Sequence, residues 1–183
     1  KFALGAYAPA LRLEATGDAV VARESPRSGL AGTASAELSS QVFIIQASNA
    51  LGIDVQMDRR RRVHLLRDDL SALQMIDAQI TALPCIIGLP PLKTRDQLMG
   101  ALYVREGSTL GGRVLARQLD GLLGSGSTHG RLFLAGDPGG PRLWQRCCAL
   151  VEQVAADGQF DDMIASAIDT FAALETWLTE DQS

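Results

Sequence analysis

Three glycines within six residues are the most unusual chemical feature of the sequence. Gly107, Gly111 and Gly112 lie beside Ser108 and Thr109, inside a stretch with helical periodicity. Glycine in a helix interior costs roughly 0.5–1 kcal/mol relative to alanine, so this cluster needs a reason. We predict a bent helix whose glycine face forms one wall of a ligand cavity. Close packing against another helix is the alternative, and the spacing alone favours neither.

Few other residues have a spacing that supports catalysis. The glycine run is not followed by the Lys-Ser/Thr pair of a phosphate-binding loop. We interpret His64 as a surface or boundary residue and His129 as a solvated loop residue, since neither has a ligand at zinc spacing. No serine lies in a nucleophile-elbow motif. Cys85, Cys147 and Cys148 form no CxxC pair, which is typical of small core residues in a reducing compartment.

A block of four arginines, Arg59–Arg62, stands near a predicted helix start, where the helix dipole disfavours positive charge. Asp58, Asp68 and Asp69 partly offset it. We interpret the block as a solvated face, with an anionic ligand or an acidic partner as the alternative.

Length and composition favour a single domain over residues 1–183. The hydrophobic fraction of 46% and the charged fraction of 21% are those of an ordinary globular domain. A net charge of −4 argues against nucleic-acid binding. No apolar run approaches the ~20 residues of a membrane-spanning helix, and residues 1–17 are too polar for a secretory signal. We therefore expect a cytoplasmic protein with neither a membrane nor a nucleic-acid partner.

The periodicity predicts an all-α fold of six or so helices. Strict alternation of apolar and polar residues is absent, and Thr94 with Gln97 forms a capping box at the start of the glycine-bearing helix. The predicted helices cover residues 11–24, 33–51, 58–83, 95–123, 141–157 and 161–178.

Apolar spacing also predicts which helix faces are buried. The first helix has one stripe through Leu13, Thr16, Val20 and Arg23. The predicted inward residues of the second helix are Leu38, Val42, Ile45 and Leu51, and those of the last helix are Ile164, Ile168, Phe171, Leu174 and Leu178.

The string from Ala101 to Gly112, ALYVREGSTLGG, resembles the distal-helix motif of bacterial heme oxygenases. The most similar group is the one that supplies biliverdin to bacteriophytochromes. Leu11-Arg12 with Ala15-Thr16 and Glu24 resembles the proximal helix of that family. Weaker likeness continues through residues 65–73, 133–136 with Trp144, and 171–178, so the resemblance covers nearly the whole chain.

The resemblance implies a helical bundle in which heme lies between the proximal and distal helices. The family converts heme, O₂ and electrons into biliverdin, CO and ferrous iron, so it implies a tetrapyrrole ligand and, as partners, an electron donor or a bacteriophytochrome. The residues that it places against heme are Arg12, Thr16, Val20, Tyr103, Gly107, Ser108, Gly111 and Gly112.

Three positions depart from the family pattern. Gly17 stands where relatives often carry a basic residue that could pair with a heme propionate, a role for which Arg12 is the remaining candidate. Val20 occupies the position of the proximal histidine, and an isopropyl group has no lone pair for iron. Ser108 stands where several relatives carry an aspartate that orders distal water. We therefore expect weak or absent conventional cleavage, with no metal ligand and no catalytic residue assigned. The alternatives are an active oxygenase with His129 or a cysteine on the iron, a non-catalytic heme or biliverdin carrier or sensor, and a helical interaction module.

Overall fold

The computed structural model describes residues 13–16, 19–22, 26–55, 61–125, 129–136, 140–156 and 160–180. The fold is all-α, as predicted, apart from one short hairpin near the start. Two strands and eight helices are assigned in the described ranges: β1 (Leu13–Thr16), β2 (Ala19–Ala22), α1 (Pro26–Leu51), α2 (Val63–Ala72), α3 (Asp77–Thr81), α4 (Arg95–Gln118), α5 (Asp120–Leu123), α6 (Leu132–Ala135), α7 (Gly140–Ala156) and α8 (Asp161–Glu180).

The predicted first helix is wrong over Leu13–Thr16 and Ala19–Ala22, which form the antiparallel strands β1 and β2. Thr16 pairs with Ala19 and Val20 pairs with Ala15. The β-branched Val20 and Val21 favour a strand here. The helical i, i+4 relation between Thr16 and Val20 is therefore absent.

Helix α4 is the element against which α1, α6, α7 and α8 pack. Its predicted capped start is confirmed: the Thr94 hydroxyl accepts a hydrogen bond from the Gln97 backbone N–H at 3.2 Å. The Gln97 side chain in turn accepts from the Lys93 N–H at 2.8 Å. The helix then runs without interruption through all its glycines to Gln118.

Two glycines of α4 allow close approach of neighbouring backbones. A Cβ on Gly100 would overlap the Met163 carbonyl oxygen of α8 and lie 2.9 Å from the Ala167 nitrogen. A Cβ on Gly112 would lie 2.8 Å from the Leu134 carbonyl oxygen of α6. At Gly112 the structure thus favours the packing alternative over a ligand wall.

The close approach at Gly100 explains why the predicted face of α8 is partly wrong. Ile164 and Ile168 are 53% and 61% exposed. Smaller residues occupy the interface instead, and the Ser166 hydroxyl donates to the Gln97 carbonyl of α4 at 2.8 Å. Bulky isoleucines would hold the two helices apart. The buried residues of this helix are Met163, Ser166, Thr170, Leu174 and Leu178.

Helix α1 begins earlier than predicted, at Pro26, and its buried face also differs from the prediction. Leu38 and Val42 are 38% and 42% exposed, whereas Ile44 and Glu37 are buried. The prediction from apolar spacing is wrong because the buried carboxylate of Glu37 faces α4.

The predicted third helix is divided into α2 and α3. Gln74 has a φ of 68°, and the Met75 N–H donates to the Leu70 carbonyl at 2.9 Å. This left-handed closure satisfies the carbonyls at the end of α2 and ends the helix.

The remaining helix predictions agree with the structure in outline. Helix α7 begins at Gly140 with Pro141 in its first turn, as expected of proline there. Cys147 is buried, but Cys85 is exposed, so the interpretation of every cysteine as a core residue is wrong for Cys85. Within the described ranges, no helix has the length and apolar character needed to cross a membrane.

The core consists of two apolar clusters, one along each half of α4. One cluster joins α2, α6, α8 and the second half of α4; its most buried residues are Leu66, Leu70, Leu119, Phe133, Leu134 and Leu178. The other joins α1, α7 and the first half of α4; its most buried residues are Ile44, Val55, Leu98, Met99, Leu102 and Cys147.

A buried charge network links α1, α4 and the segment before α2. Arg105 Nη2 donates to Glu37 Oε1, and Arg62 Nη2 donates to Glu37 Oε2 at 3.0 Å. Arg105 Nη1 donates to Glu106 Oε1 at 3.0 Å. Among the described residues, two guanidiniums and two carboxylates meet in this network. The Glu37 and Arg105 side chains are 0% and 1% exposed, so each compensates a charge that burial alone would make costly.

We predict that Gly100→Ala lowers the free energy of unfolding by about 2 kcal/mol, since the added methyl group meets backbone atoms of α8 that cannot rotate away. Gly121→Ala is the matched control, because a Cβ there meets nothing within 4 Å. We expect that control to be neutral or slightly stabilising. Urea unfolding measures both values, and equal values would contradict the close packing of α4 on α8.

We predict that Glu37→Gln lowers the free energy of unfolding by about 3 kcal/mol, because it leaves two guanidiniums facing one neutral amide. Glu175→Gln removes an exposed carboxylate and should change the value by less than about 0.5 kcal/mol. Chemical denaturation of the two variants tests this. A Glu37→Gln variant as stable as its control would show that the network is dispensable.

Candidate functional site

A cleft of about 190 Å³ lies beside the glycine-bearing part of α4. The start of α2, the middle of α4, α6 and the start of α7 surround it. The lining combines cationic, hydroxyl and apolar groups: Arg61, Arg62, His64, Leu65, Glu106, Thr109, Leu110, Arg113, Phe133, Gly136, Gly140, Pro141 and Leu143.

One face of α4 forms the longest wall of this cleft. Glu106, Thr109, Leu110 and Arg113 follow the i, i+3, i+4, i+7 spacing that places residues on a single helix face. Gly107 is outside the cleft lining, although it directly follows Glu106. The cleft face and the glycine run are therefore adjacent but distinct parts of the helix surface.

The cleft is bounded on one side by the buried charge network. Arg62 and Glu106 belong to both, and the Arg62 guanidinium also lies over the Phe133 ring, 5.0 Å from its centre. Arg62 Nη2 donates in addition to the Arg105 carbonyl at 3.2 Å. The interpretation of the arginine block as a solvated face is thus wrong for Arg62, whose side chain is 12% exposed.

The residues predicted for α4 occupy several environments. Gly107, Ser108, Gly111 and Gly112 are buried. The Ser108 hydroxyl donates to the Arg105 carbonyl at 2.7 Å, so it is engaged within the helix. Tyr103 is 43% exposed, and its ring contacts that of Trp144 with centres 5.2 Å apart and planes tilted by 50°. Tyr103, Gly107 and Gly111 follow the i, i+4, i+8 spacing of one helix face, and Ser108 and Gly112 lie to one side of that face.

The predicted residues of the first segment lie on the hairpin. Thr16 ends β1 and Val20 lies in β2, at different register positions. Arg12 lies outside the described residues. The predicted contacts of Arg12, Thr16 and Val20 with a heme between this segment and α4 therefore remain a prediction.

The two histidines have different surroundings. His64 is exposed, as predicted, and lines the cleft. His129 is also exposed, and its charge acts on the Asp69 carboxylate. In the described part of the chain, no group of three or more His, Cys, Asp or Glu residues is placed to hold a metal ion.

Asp69 is a positioning residue that the sequence analysis missed. Its carboxylate accepts hydrogen bonds from the backbone N–H groups of Leu132 at 2.6 Å and Phe133 at 2.9 Å. It therefore caps α6 from α2 and fixes Phe133 in the cleft wall. Burial raises the pKa of Asp69, and the two hydrogen bonds oppose that shift.

Glu37 and Arg105 were also missed as buried residues. Glu37 occurs among small and apolar residues, whereas Arg105 directly precedes Glu106. For neither residue does helical spacing indicate a partner 68 residues away. For Asp69 a signal did exist, since it lies three residues after Leu66 and directly before Leu70, close to the inward face of the helix, where a carboxylate is unusual.

Comparison with known proteins supplies the family. No protein-family model matches the chain, and no solved structure matches it. A curated protein named heme oxygenase, from Xanthomonas campestris pv. campestris (strain 8004), is 38% identical over 121 residues. The match covers 65% of this chain and 68% of that relative. On this similarity, together with the all-helical fold, the chain belongs to the heme oxygenase family.

Proposed function

We propose that the protein binds heme or a related tetrapyrrole beside the glycine run of α4 and performs conventional heme cleavage weakly or not at all. Membership of the heme oxygenase family supports the ligand class. The residue at position 20 supports the reduced activity, because valine replaces the axial histidine that the resemblance implies.

The α4 backbone supports a flat ligand at two positions. Gly107 and Gly111 are buried one helical turn apart and carry no side chain, so main chain there can approach a ring closely. Gly112 has a different role, since the Leu134 backbone occupies the space beside it. We therefore assign the ligand-facing role to Gly107 and Gly111.

Other residues of the chain would complete the site. Tyr103 lies half-exposed four residues before Gly107, on the side where its ring meets Trp144. Arg12 is the candidate partner of a carboxylate on the ligand, and Thr16 and Val20 would form the opposite wall. An electron donor or a bacteriophytochrome is the partner that the family resemblance implies.

Heme, as the substrate, would supply the iron that activates O₂ in the family reaction. The chain would hold the ligand in place and shield it from water, but two of its residues limit its contribution to the reaction. Val20 has no lone pair to donate to iron. The Ser108 hydroxyl is committed to the Arg105 carbonyl, which lowers its capacity to order a distal water. Both features favour binding over turnover.

We predict that hemin added to the protein gives a Soret band typical of a bound complex, and that a reductant with O₂ then yields little biliverdin. Val20→His should give a six-coordinate spectrum and raise biliverdin formation at least about tenfold, since it restores an axial imidazole. Absorption spectroscopy during titration and during a single turnover measures both quantities.

Val21→His is the matched control, because it adds the same imidazole to β2 one residue away. It should leave the spectrum and turnover close to those of the unchanged protein. Rapid biliverdin formation by the unchanged protein would overturn the proposed loss of activity. Failure of hemin to bind to either the unchanged protein or Val20→His would remove the tetrapyrrole function and favour a helical interaction module.

A further inference from the structure

We propose that the exposed face of α8 is a docking surface for a basic protein partner, one that presents an apolar stripe between lysine or arginine side chains. Phe160, Ile164 and Ile168 form the centre of this surface, which we call the α8 face. The α8 face contains none of the residues that we assign to the tetrapyrrole.

The α8 face is a continuous apolar stripe. Its three residues follow the i, i+4, i+8 spacing that places side chains on one side of a helix. Phe160 precedes the first residue of α8, but its carbonyl accepts a hydrogen bond from the Ile164 N–H at 2.8 Å, so it continues the first turn. The three side chains are 43%, 53% and 61% exposed. Single exposed apolar residues are ordinary, whereas a row of large ones on one helix is typical of an interaction surface.

The packing of α8 on α4 leaves this stripe uncovered. The two helices approach most closely at Gly100, where small residues form the contact and the Ser166 hydroxyl donates to the Gln97 carbonyl. Ile168 follows Ser166 by two residues, which turns its side chain about 200° further around the helix. The isoleucines therefore point away from α4.

The distribution of charge along the chain identifies the kind of partner. All 17 lysines and arginines and both histidines precede Cys147, together with 13 of the 21 acidic residues. The other eight acidic residues follow it, so residues 147–183 carry a net charge of −8 and the rest of the chain carries +4. A region of one charge sign attracts a partner of the opposite sign.

The carboxylates of α8 are available to such a partner. Asp161, Asp162, Asp169 and Glu175 are exposed, and none of the four forms an ion pair within the part of the chain that the structure describes. Asp161 precedes Ile168 by seven residues and Glu175 follows it by seven, a spacing that places both on the side of the stripe. Cations on a partner would therefore meet carboxylates at both ends of the apolar centre.

The same carboxylates disfavour the two other occupants of an apolar helix face. In a two-fold contact between α8 faces, the carboxylates of two copies would be brought together, and like charges repel. An anionic membrane surface would be repelled in the same way. Charge complementarity thus favours a basic partner over a second copy or a membrane.

The size of the α8 face indicates a transient complex. The nine residues from Phe160 to Ile168 span about 12 Å of a helix that is roughly 10 Å wide. This strip is much smaller than the roughly 800 Å² per partner of a stable interface. We therefore expect a dissociation constant on the order of 10–100 μM for a single helical partner.

Fluorescence anisotropy with a labelled peptide of about 14 leucine and lysine residues, patterned as an amphipathic helix, tests the proposal. The unchanged protein should bind this peptide saturably at about 50 mM salt, and about 300 mM salt should weaken binding at least about threefold. Two control peptides separate the contributions. A serine and lysine peptide lacks the apolar face, and a leucine and glutamate peptide reverses the charge. Both should bind at least about tenfold more weakly.

Variants of the protein locate the binding surface. Ile164→Ser combined with Ile168→Ser should weaken binding of the leucine and lysine peptide at least about tenfold. Ile87→Ser is the matched control, since Ile87 is 94% exposed outside α8, and it should change binding less than about twofold.

Asp161→Asn combined with Glu175→Gln should weaken binding about threefold or more and reduce its salt dependence. Asp77→Asn removes an exposed carboxylate of α3 and should alter neither quantity.

Circular dichroism establishes that each variant is folded, and Ile168→Ser alone provides the test if the double isoleucine variant unfolds. An absence of saturable binding up to about 500 μM peptide would overturn the proposal. Equal weakening by Ile87→Ser would overturn it too, because binding would then be nonspecific.

Two further measurements address the other occupants. Dimerisation of the unchanged protein in analytical ultracentrifugation, lost in the double isoleucine variant, would assign the α8 face to a second copy. Co-sedimentation with phosphatidylglycerol vesicles, lost in the same variant, would assign it to a membrane. Either result would overturn the basic partner. Hemin titration of the same variants should be unchanged, so failure of the docking surface and failure of the tetrapyrrole site are distinguishable.

Discussion

The buried carboxylate of Glu37 is the constraint on which the arrangement of α1, α2 and α4 depends. It accepts hydrogen bonds from Arg105, in the middle of α4, and from Arg62, the residue that directly precedes α2. A buried charge is tolerated only with compensation, so the three segments must meet at this point. The same contacts hold Arg62 against Phe133 and thereby shape one side of the cleft. The ion pairs of Glu37 therefore determine both the packing of these segments and the shape of one side of the cleft.

Close backbone contact is the second constraint, and it divides the glycines of α4 into two groups. Gly100 and Gly112 have neighbouring backbones where a Cβ would stand, so they serve the packing of α8 and α6. Gly107 and Gly111 are buried in the family-specific string between them. The structure thus assigns a packing role to Gly100 and Gly112, and we propose the ligand-facing role for Gly107 and Gly111 only. The spacing of the glycines does not make this distinction.

Sequence reasoning was most successful where local chemistry dominates. The capped start of α4 at Thr94 and the all-α class follow from short-range hydrogen bonding and periodicity, and both are confirmed. It failed where partners are distant. The exposed Ile164 follows from the approach at Gly100, and no local pattern around Glu37 indicates Arg105. The resemblance to heme oxygenases depends on residue identities along the chain, and the 38% identical relative confirms it at the level of the family.

The contacts that fix the cleft face of α4 are separate from the positions that we propose for the ligand. The cleft face from Glu106 to Arg113 is fixed by α2, α6 and α7, and the Asp69 cap holds α6 in place. Gly107 and Gly111 lie outside the cleft lining, on another face of the same helix. Packing of the cleft face and the proposed approach of a ligand therefore depend on different residues of α4.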